Sequence, residues 1–113
     1  METICEIKAG KCTVEGNLVS PDERKGILRL VMENDGLLRV QWSNRNTGMV
    51  EDDLFVIHDA YLSKVDACTT GQVYLLKFIS SDVRMLFWMQ EINQEVIKNF
   101  VAKFNETTAS PLT

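Results

Sequence analysis

From Ile4 to Met89 the apolar residues come in strand-length runs, and each run is stopped by residues that favour turns. That punctuation constrains the chain more than any other feature, because it leaves little room for helix before the last third. Ile4 to Lys8 partly alternates and ends at Ala9-Gly10, and Lys11 to Glu15 alternates and stops at Gly16-Asn17. Ser20-Pro21-Asp22 breaks the chain, since proline cannot donate to a ladder. Gly26 to Met32 reads as a strongly apolar strand, returned by Leu37 to Trp42 across Asn34-Asp35-Gly36. Asp-Gly tolerates the positive φ that tight hairpins need. Beyond the polar stretch Ser43 to Gly48 and the acidic run Glu51-Asp52-Asp53, further strands are expected at Leu54–Ile57, Tyr61–Val65, Val73–Ile79 and Arg84–Met89. Thr69-Thr70-Gly71 and Ser80-Ser81-Asp82 divide the later ones.

The period then changes. Ile92, Val96, Ile97, Phe100, Val101 and Phe104 recur at steps of three and four, the apolar stripe of an amphipathic helix that Asn93 is placed to cap. The polar stretch from Thr107 to Pro111 reads as a frayed tail. At 113 residues there is room for one domain and one core. The expected fold is therefore mainly β with one C-terminal helix: a pleckstrin-homology-like, bent antiparallel barrel or sandwich capped by that helix.

Charge narrows the function classes. Twelve basic and sixteen acidic side chains leave a net charge of −4, which disfavours a nucleic-acid backbone or an anionic membrane as partner and suits a basic protein surface. The longest apolar run is far short of a membrane span. Cys5, Cys12 and Cys68 are odd in number and widely separated, which argues against a disulfide framework or a zinc site and for a reducing compartment, cytoplasm or nucleus. Neither a metal nor a cofactor is expected. His58, the single histidine, neighbours Asp59 but has no nucleophile motif beside it, so the chain is not expected to be an enzyme. Glu51-Asp52-Asp53 reads as a solvated strand entry, because adjacent acids on a strand cannot all face one ion. Lys8, Lys11, Arg24 and Lys25 could form a phosphoinositide pocket, but Glu6, Glu15, Asp22 and Glu23 interrupt it. One of Phe87 and Trp88 should face the core and the other lie outside. Leu37, beside a hairpin turn, is expected to be exposed and a candidate binding anchor.

Six blocks carry a more specific resemblance. Glu6 to Lys11, Ser20 to Gly26, Trp42 to Gly48, Val50 to Leu54, Gly71 to Phe78 and Arg84 to Glu91 occur in order and at nearly constant spacing. They resemble the pleckstrin-like receptor-for-ubiquitin (Pru) domain of the proteasome's intrinsic ubiquitin receptor, the adhesion-regulating-molecule family. The likeness places that domain at residues 1–106 and a flexible tail at 107–113, with no deubiquitinase-adaptor domain in this chain.

The resemblance implies a non-catalytic proteasomal ubiquitin receptor that takes ubiquitin and polyubiquitin chains on loops at one end of the barrel. Leu37, Ile57, His58, Asp59 and Phe78 fall on the ubiquitin-binding positions, with Ile57 standing where better-known members carry phenylalanine and the loop at Asp59 one residue shorter. It also implies docking to the C-terminal peptide of the largest scaffold subunit of the regulatory particle. Cys12, Val19, Pro21, Val65, Cys68, Val73, Trp88 and Glu91 look like that peptide's groove. The domain is expected to be a monomer outside the proteasome, and charged replacements at Leu37 or Phe78 are expected to weaken ubiquitin binding with the fold intact. The alternatives are a proteasome-docking structural subunit with weak or lost ubiquitin binding, and a phosphoinositide adaptor.

Overall fold

Among the described residues, alternation and turn chemistry together produce eight strands and one helix. A computed structural model describes residues 1–16, 18–57, 59–65 and 72–108. In chain order the elements are β1 (Glu2–Glu15), β2 (Leu18–Pro21), β3 (Gly26–Met32), β4 (Leu38–Asn44), β5 (Val50–Val56), β6 (Ala60–Lys64), β7 (Val73–Phe78), β8 (Arg84–Met89) and α1 (Gln94–Thr108). All the pairings are antiparallel, in the order β5-β4-β3-β1-β8-β7-β6, with β2 added to the far end of β1. The path is open, ending at β5 on one side and β6 on the other. This is the mainly β, helix-capped, pleckstrin-like architecture expected from the strand spacing.

One strand holds the two halves together. Residues Glu2 to Lys8 of β1 pair with β3, while Ala9 to Cys12 pair with β8. The expected stop at Ala9-Gly10 is thus a change of partner within a single strand, and the small residues there serve packing instead of a turn. A Cβ on Gly10 would lie 2.8 Å from Cε2 of Trp88 and 2.6 Å from Nε2 of Gln90. Ala9 is fully buried and its carbonyl accepts the indole N–H of Trp42 at 2.9 Å. Glycine in a strand commonly marks such a close approach. The expected break at Ser20-Pro21-Asp22 is likewise the end of β2, which pairs with β1 alone, where the missing proline N–H costs no ladder bond. Acidic residues 51–53 lie inside β5, a strand that begins earlier than the apolar pattern indicates.

Leu28, Leu30, Trp42, Leu76 and Phe87 fill the core from both halves, and Ile97, Phe100 and Phe104 close it from α1. The helix starts where Asn93 accepts the N–H of Glu95 at 2.9 Å, as its sequence position indicates. Asn105 then ties α1 to β6, its amide accepting the N–H of Leu62 at 2.8 Å and donating to the same residue's carbonyl at 3.0 Å. Ile92 departs from the expected stripe: it precedes the cap and is 95% exposed. The helix also runs two residues past the expected domain limit at 106, to Thr108, which is buried; Thr107 and Thr108 each donate a hydroxyl to the carbonyl four residues earlier. Among the described residues no helix is long and apolar enough to cross a membrane.

Candidate functional site

Three turns meet at one end of the sheet. In the β3–β4 turn Gly36 takes φ +88°, its N–H reaches the carbonyl of Glu33 at 2.9 Å, and Glu33 N–H reaches Leu37 at 2.7 Å. The Asp35 carboxylate accepts the N–H of Leu37 at 3.1 Å. These bonds close the hairpin tightly and leave Leu37 45% exposed, as its place beside the turn implies. Leu38 pairs with Val56, so one further step along the ladder sets Leu37 opposite Ile57, which is 75% exposed. Asp59 follows in the β5–β6 turn, and His58 lies outside the described residues.

The β7–β8 turn completes the cluster. Ile57, Asp59, Phe78 and Ser80 line one shallow cavity of about 220 Å³, together with Phe55 and Val83. Leu37 is related to this cavity through Ile57, a lining residue that the β4–β5 register sets opposite it. Phe78 is different from an exposed anchor: it is 5% exposed, pairs with Ala60, and belongs to the core. The expectation that a charge at Phe78 would leave the fold intact is therefore corrected, since such a charge would be buried without a partner. Its direction follows from parity, because Tyr74, Leu76 and Phe78 share the inward face of β7 while Lys77 and Ile79 point away. Ile79, 69% exposed, and Val83 thus join the apolar end of the molecule although neither stood out as a site residue. The out-of-phase Ile79 was the available signal. Phe55 is also exposed, with the Arg39 guanidinium 4.2 Å from its ring centroid. Glu33 and Asp53 flank that guanidinium at 3.0 and 2.9 Å, so the rim is acidic on this side.

A second apolar surface lies on the outer face of β1, β8 and β7. Register places Pro21, Cys12, Leu86 and Leu75 in one row across the strands, with Trp88 and Val73 in the next and Val19 paired to Val14 in a third. Val65 continues the Val73 row, its N–H donating to Val73 at 2.9 Å. A groove of about 630 Å³ runs here, lined by Cys12, Val14, Val65, Leu75 and Leu86, with Lys11 and Arg84 among its flanks. Of the expected peptide-groove residues, Cys12 and Val65 line it; Val19 and Trp88 are half-buried nearby, Pro21 is exposed, and Val73 is buried in the sheet surface. Phe87 faces the core and Trp88 is the outer member of the pair, its indole N–H held by the Asp22 carbonyl at 3.1 Å. Glu91 does not join this face. It lies past the end of β8, lines a separate recess with Lys8, Ile27 and Val96, and accepts the N–H of Asn93 at 3.1 Å. Cys68 lies outside the described residues.

Two of the basic residues near β1, Lys11 and Arg24, are engaged by acids. Arg24 contacts both carboxylate oxygens of Glu51 at 2.9 Å and Asp22 at 3.0 Å, while Lys11 reaches Asp52 at 2.8 Å. Lys11 and Arg24 also stand over the Trp42 ring, 4.5 and 5.2 Å from its centroid. The hydrogen bond from Arg24 holds Glu51 below its ordinary carboxylate range, and the backbone N–H of Arg24 does the same for Asp22. A phosphate at Lys11 and Arg24 would have to compete with these carboxylates. Burial pushes the Cys5 thiol up to about 11, partly offset by Lys103. Among the described residues no group of histidine, cysteine and carboxylate side chains is arranged to hold a metal ion.

Comparison with known proteins places the chain in a family. The family model described as "Proteasome complex subunit Rpn13, Pru domain" matches residues 4–105. The chain is 38% identical over 109 residues to "Proteasomal ubiquitin receptor ADRM1-A" of Xenopus laevis, covering 96% of this chain and 27% of the relative. With "Proteasomal ubiquitin receptor ADRM1" of Danio rerio it is 39% identical over 109 residues, with the same coverage of 96% and 27%. The "Proteasomal ubiquitin receptor ADRM1 homolog" of Drosophila melanogaster is 47% identical over 89 residues, 78% of this chain and 23% of that one. The chain spans about a quarter of the length of the curated relatives it matches.

Proposed function

The chain belongs to the Rpn13 Pru-domain family, and from that premise we propose that it is a non-catalytic ubiquitin receptor of the proteasome. The observation that carries this reading is the placement of exposed Leu37 opposite exposed Ile57, with Asp59 beside them, at one end of the sheet. Ubiquitin's recognition face is an apolar patch rimmed by basic groups, and apolar turn tips flanked by Glu33 and Asp53 are its complement. Leu37 and Ile57 supply the contact area, and Phe78 supports them as the floor of the cavity. The names of the relatives, proteasomal ubiquitin receptors, agree with this assignment.

Docking to the proteasome is assigned to the outer face of β1, β8 and β7. An extended peptide from the C-terminus of the largest scaffold subunit would lie along the groove beside Cys12, Val65 and Trp88. The two surfaces share β7 but no lining residue, so both partners can be held at once.

The test is calorimetric titration of ubiquitin into the wild-type domain and into Leu37→Asp. The wild type should bind, and the variant should lose at least about tenfold in affinity with its melting temperature unchanged. Equal binding by a folded Leu37→Asp would remove this face from the account. The second reading, a docking subunit without ubiquitin binding, is favoured by the smaller side chain of Ile57 where the resemblance expects phenylalanine. It would be established by a domain that binds the scaffold peptide and ignores ubiquitin.

A further inference from the structure

Asp59 makes three bonds that together join two turns. One carboxylate oxygen accepts the backbone N–H of Ile57 at 3.0 Å, and the other accepts the hydroxyl of Ser80. Its carbonyl oxygen accepts the N–H of Ile79 at 2.7 Å. The first bond fixes the turn after β5; the other two fasten it to the turn after β7. Each turn carries an isoleucine standing in solvent, Ile57 at 75% and Ile79 at 69% exposure. Separately mobile turns would have to be ordered by the partner on binding, which weakens association.

On the ubiquitin-receptor reading given above, we propose that Asp59 is a positioning residue, not a direct charge contact: its carboxylate latches the two turns so that Ile57 and Ile79 form one apolar face, and Ile79 is a further anchor for ubiquitin. The chemistry separates the two roles. An asparagine at this position can still accept the Ile57 N–H through its oxygen and donate through its amide to the Ser80 hydroxyl oxygen. It keeps the latch and loses the charge.

The test compares Asp59→Asn, Asp59→Ala and Ser80→Ala for ubiquitin affinity, and for amide hydrogen exchange in the free domain. Asp59→Asn should bind within about twofold of wild type, Asp59→Ala should lose about tenfold, and Ser80→Ala several-fold. The Asp59→Ala/Ser80→Ala double variant should be no weaker than Asp59→Ala alone, because both changes break one bond. In the free domain, exchange at the Ile57 and Ile79 amides should accelerate in Asp59→Ala and stay near wild type in Asp59→Asn. An Asp59→Asn variant as weak as Asp59→Ala, with both amides still protected, would overturn the latch in favour of a direct ionic contact. Full affinity in a folded Asp59→Ala would overturn the latch and the ionic contact alike. A wild-type domain that ignores ubiquitin would instead sink the receptor reading, and the exchange measurement would still decide whether Asp59 couples the turns.

Discussion

Ile57 and Phe78 line the same cavity, yet truncating them should have opposite consequences. Ile57→Ala removes three carbons, worth about 2.4 kcal/mol if wholly buried at ~0.8 kcal/mol per methylene. Since 75% of Ile57 is exposed in the free domain, about 1.8 kcal/mol of that is available to a partner, or roughly twentyfold in Kd. The remaining quarter corresponds to about 0.6 kcal/mol of folding stability, a melting shift of only a few degrees. Phe78 is 5% exposed, so Phe78→Ala is a core truncation costing about 3–5 kcal/mol, or more than about 12 °C in melting temperature. Calorimetric ubiquitin titration and thermal melts of the two variants read both quantities. The reasoning fails if folded Ile57→Ala binds ubiquitin like wild type. It fails equally if Phe78→Ala melts within about 3 °C of wild type, since a floor residue cannot be removed so cheaply.

Other expectations concern the frame that holds these turns. Gly26→Ala should lose about 1–3 kcal/mol in denaturant unfolding, because its new methyl would overlap the buried Trp42 ring. Glu51 and Asp22 have folded-state pKa values below their ordinary ones, so the unfolded chain takes up their protons first as pH falls. The stability they contribute is fully present at neutral pH and is lost as pH drops from the ordinary carboxylate range through the depressed values; melts of wild type and Glu51→Gln against pH should converge in acid. With its thiol raised to about 11, Cys5 should react with iodoacetamide at neutral pH far more slowly in the native domain than in the denatured one, which peptide mass mapping can follow.

The period of the side chains made most of the fold legible. Helix α1 was marked by its three-and-four spacing and its asparagine cap, and the β3–β4 hairpin by Asp35-Gly36. What misled was local punctuation with a tertiary cause. Ala9-Gly10 looks like a turn in one dimension, but its small side chains exist to let Trp42 and Trp88 approach β1. Proline at the end of β2 looks like a break, although an edge strand tolerates it.

The candidate site divides the same way. Leu37 was legible because a residue beside a tight hairpin has nowhere to bury itself. Phe78 sits on a position that the resemblance assigns to ubiquitin contact, while the alternation of β7 already turned it inward with Leu76. Glu91 follows a strand end, and chain direction there changes in a way that spacing does not encode. The Asp59–Ser80 bond joins residues 21 positions apart, so only the folded register reveals it.

The most direct test follows backbone amide signals of the isotope-labelled domain as unlabelled ubiquitin is added. Shifts are expected only at the turn-bearing end, at Leu37, Ile57, Asp59 and the Ile79–Ser80 turn, with the outer face around Cys12 and Trp88 silent. Shifts on that outer face alone, or a spectrum unchanged at saturating ubiquitin, would contradict the receptor reading.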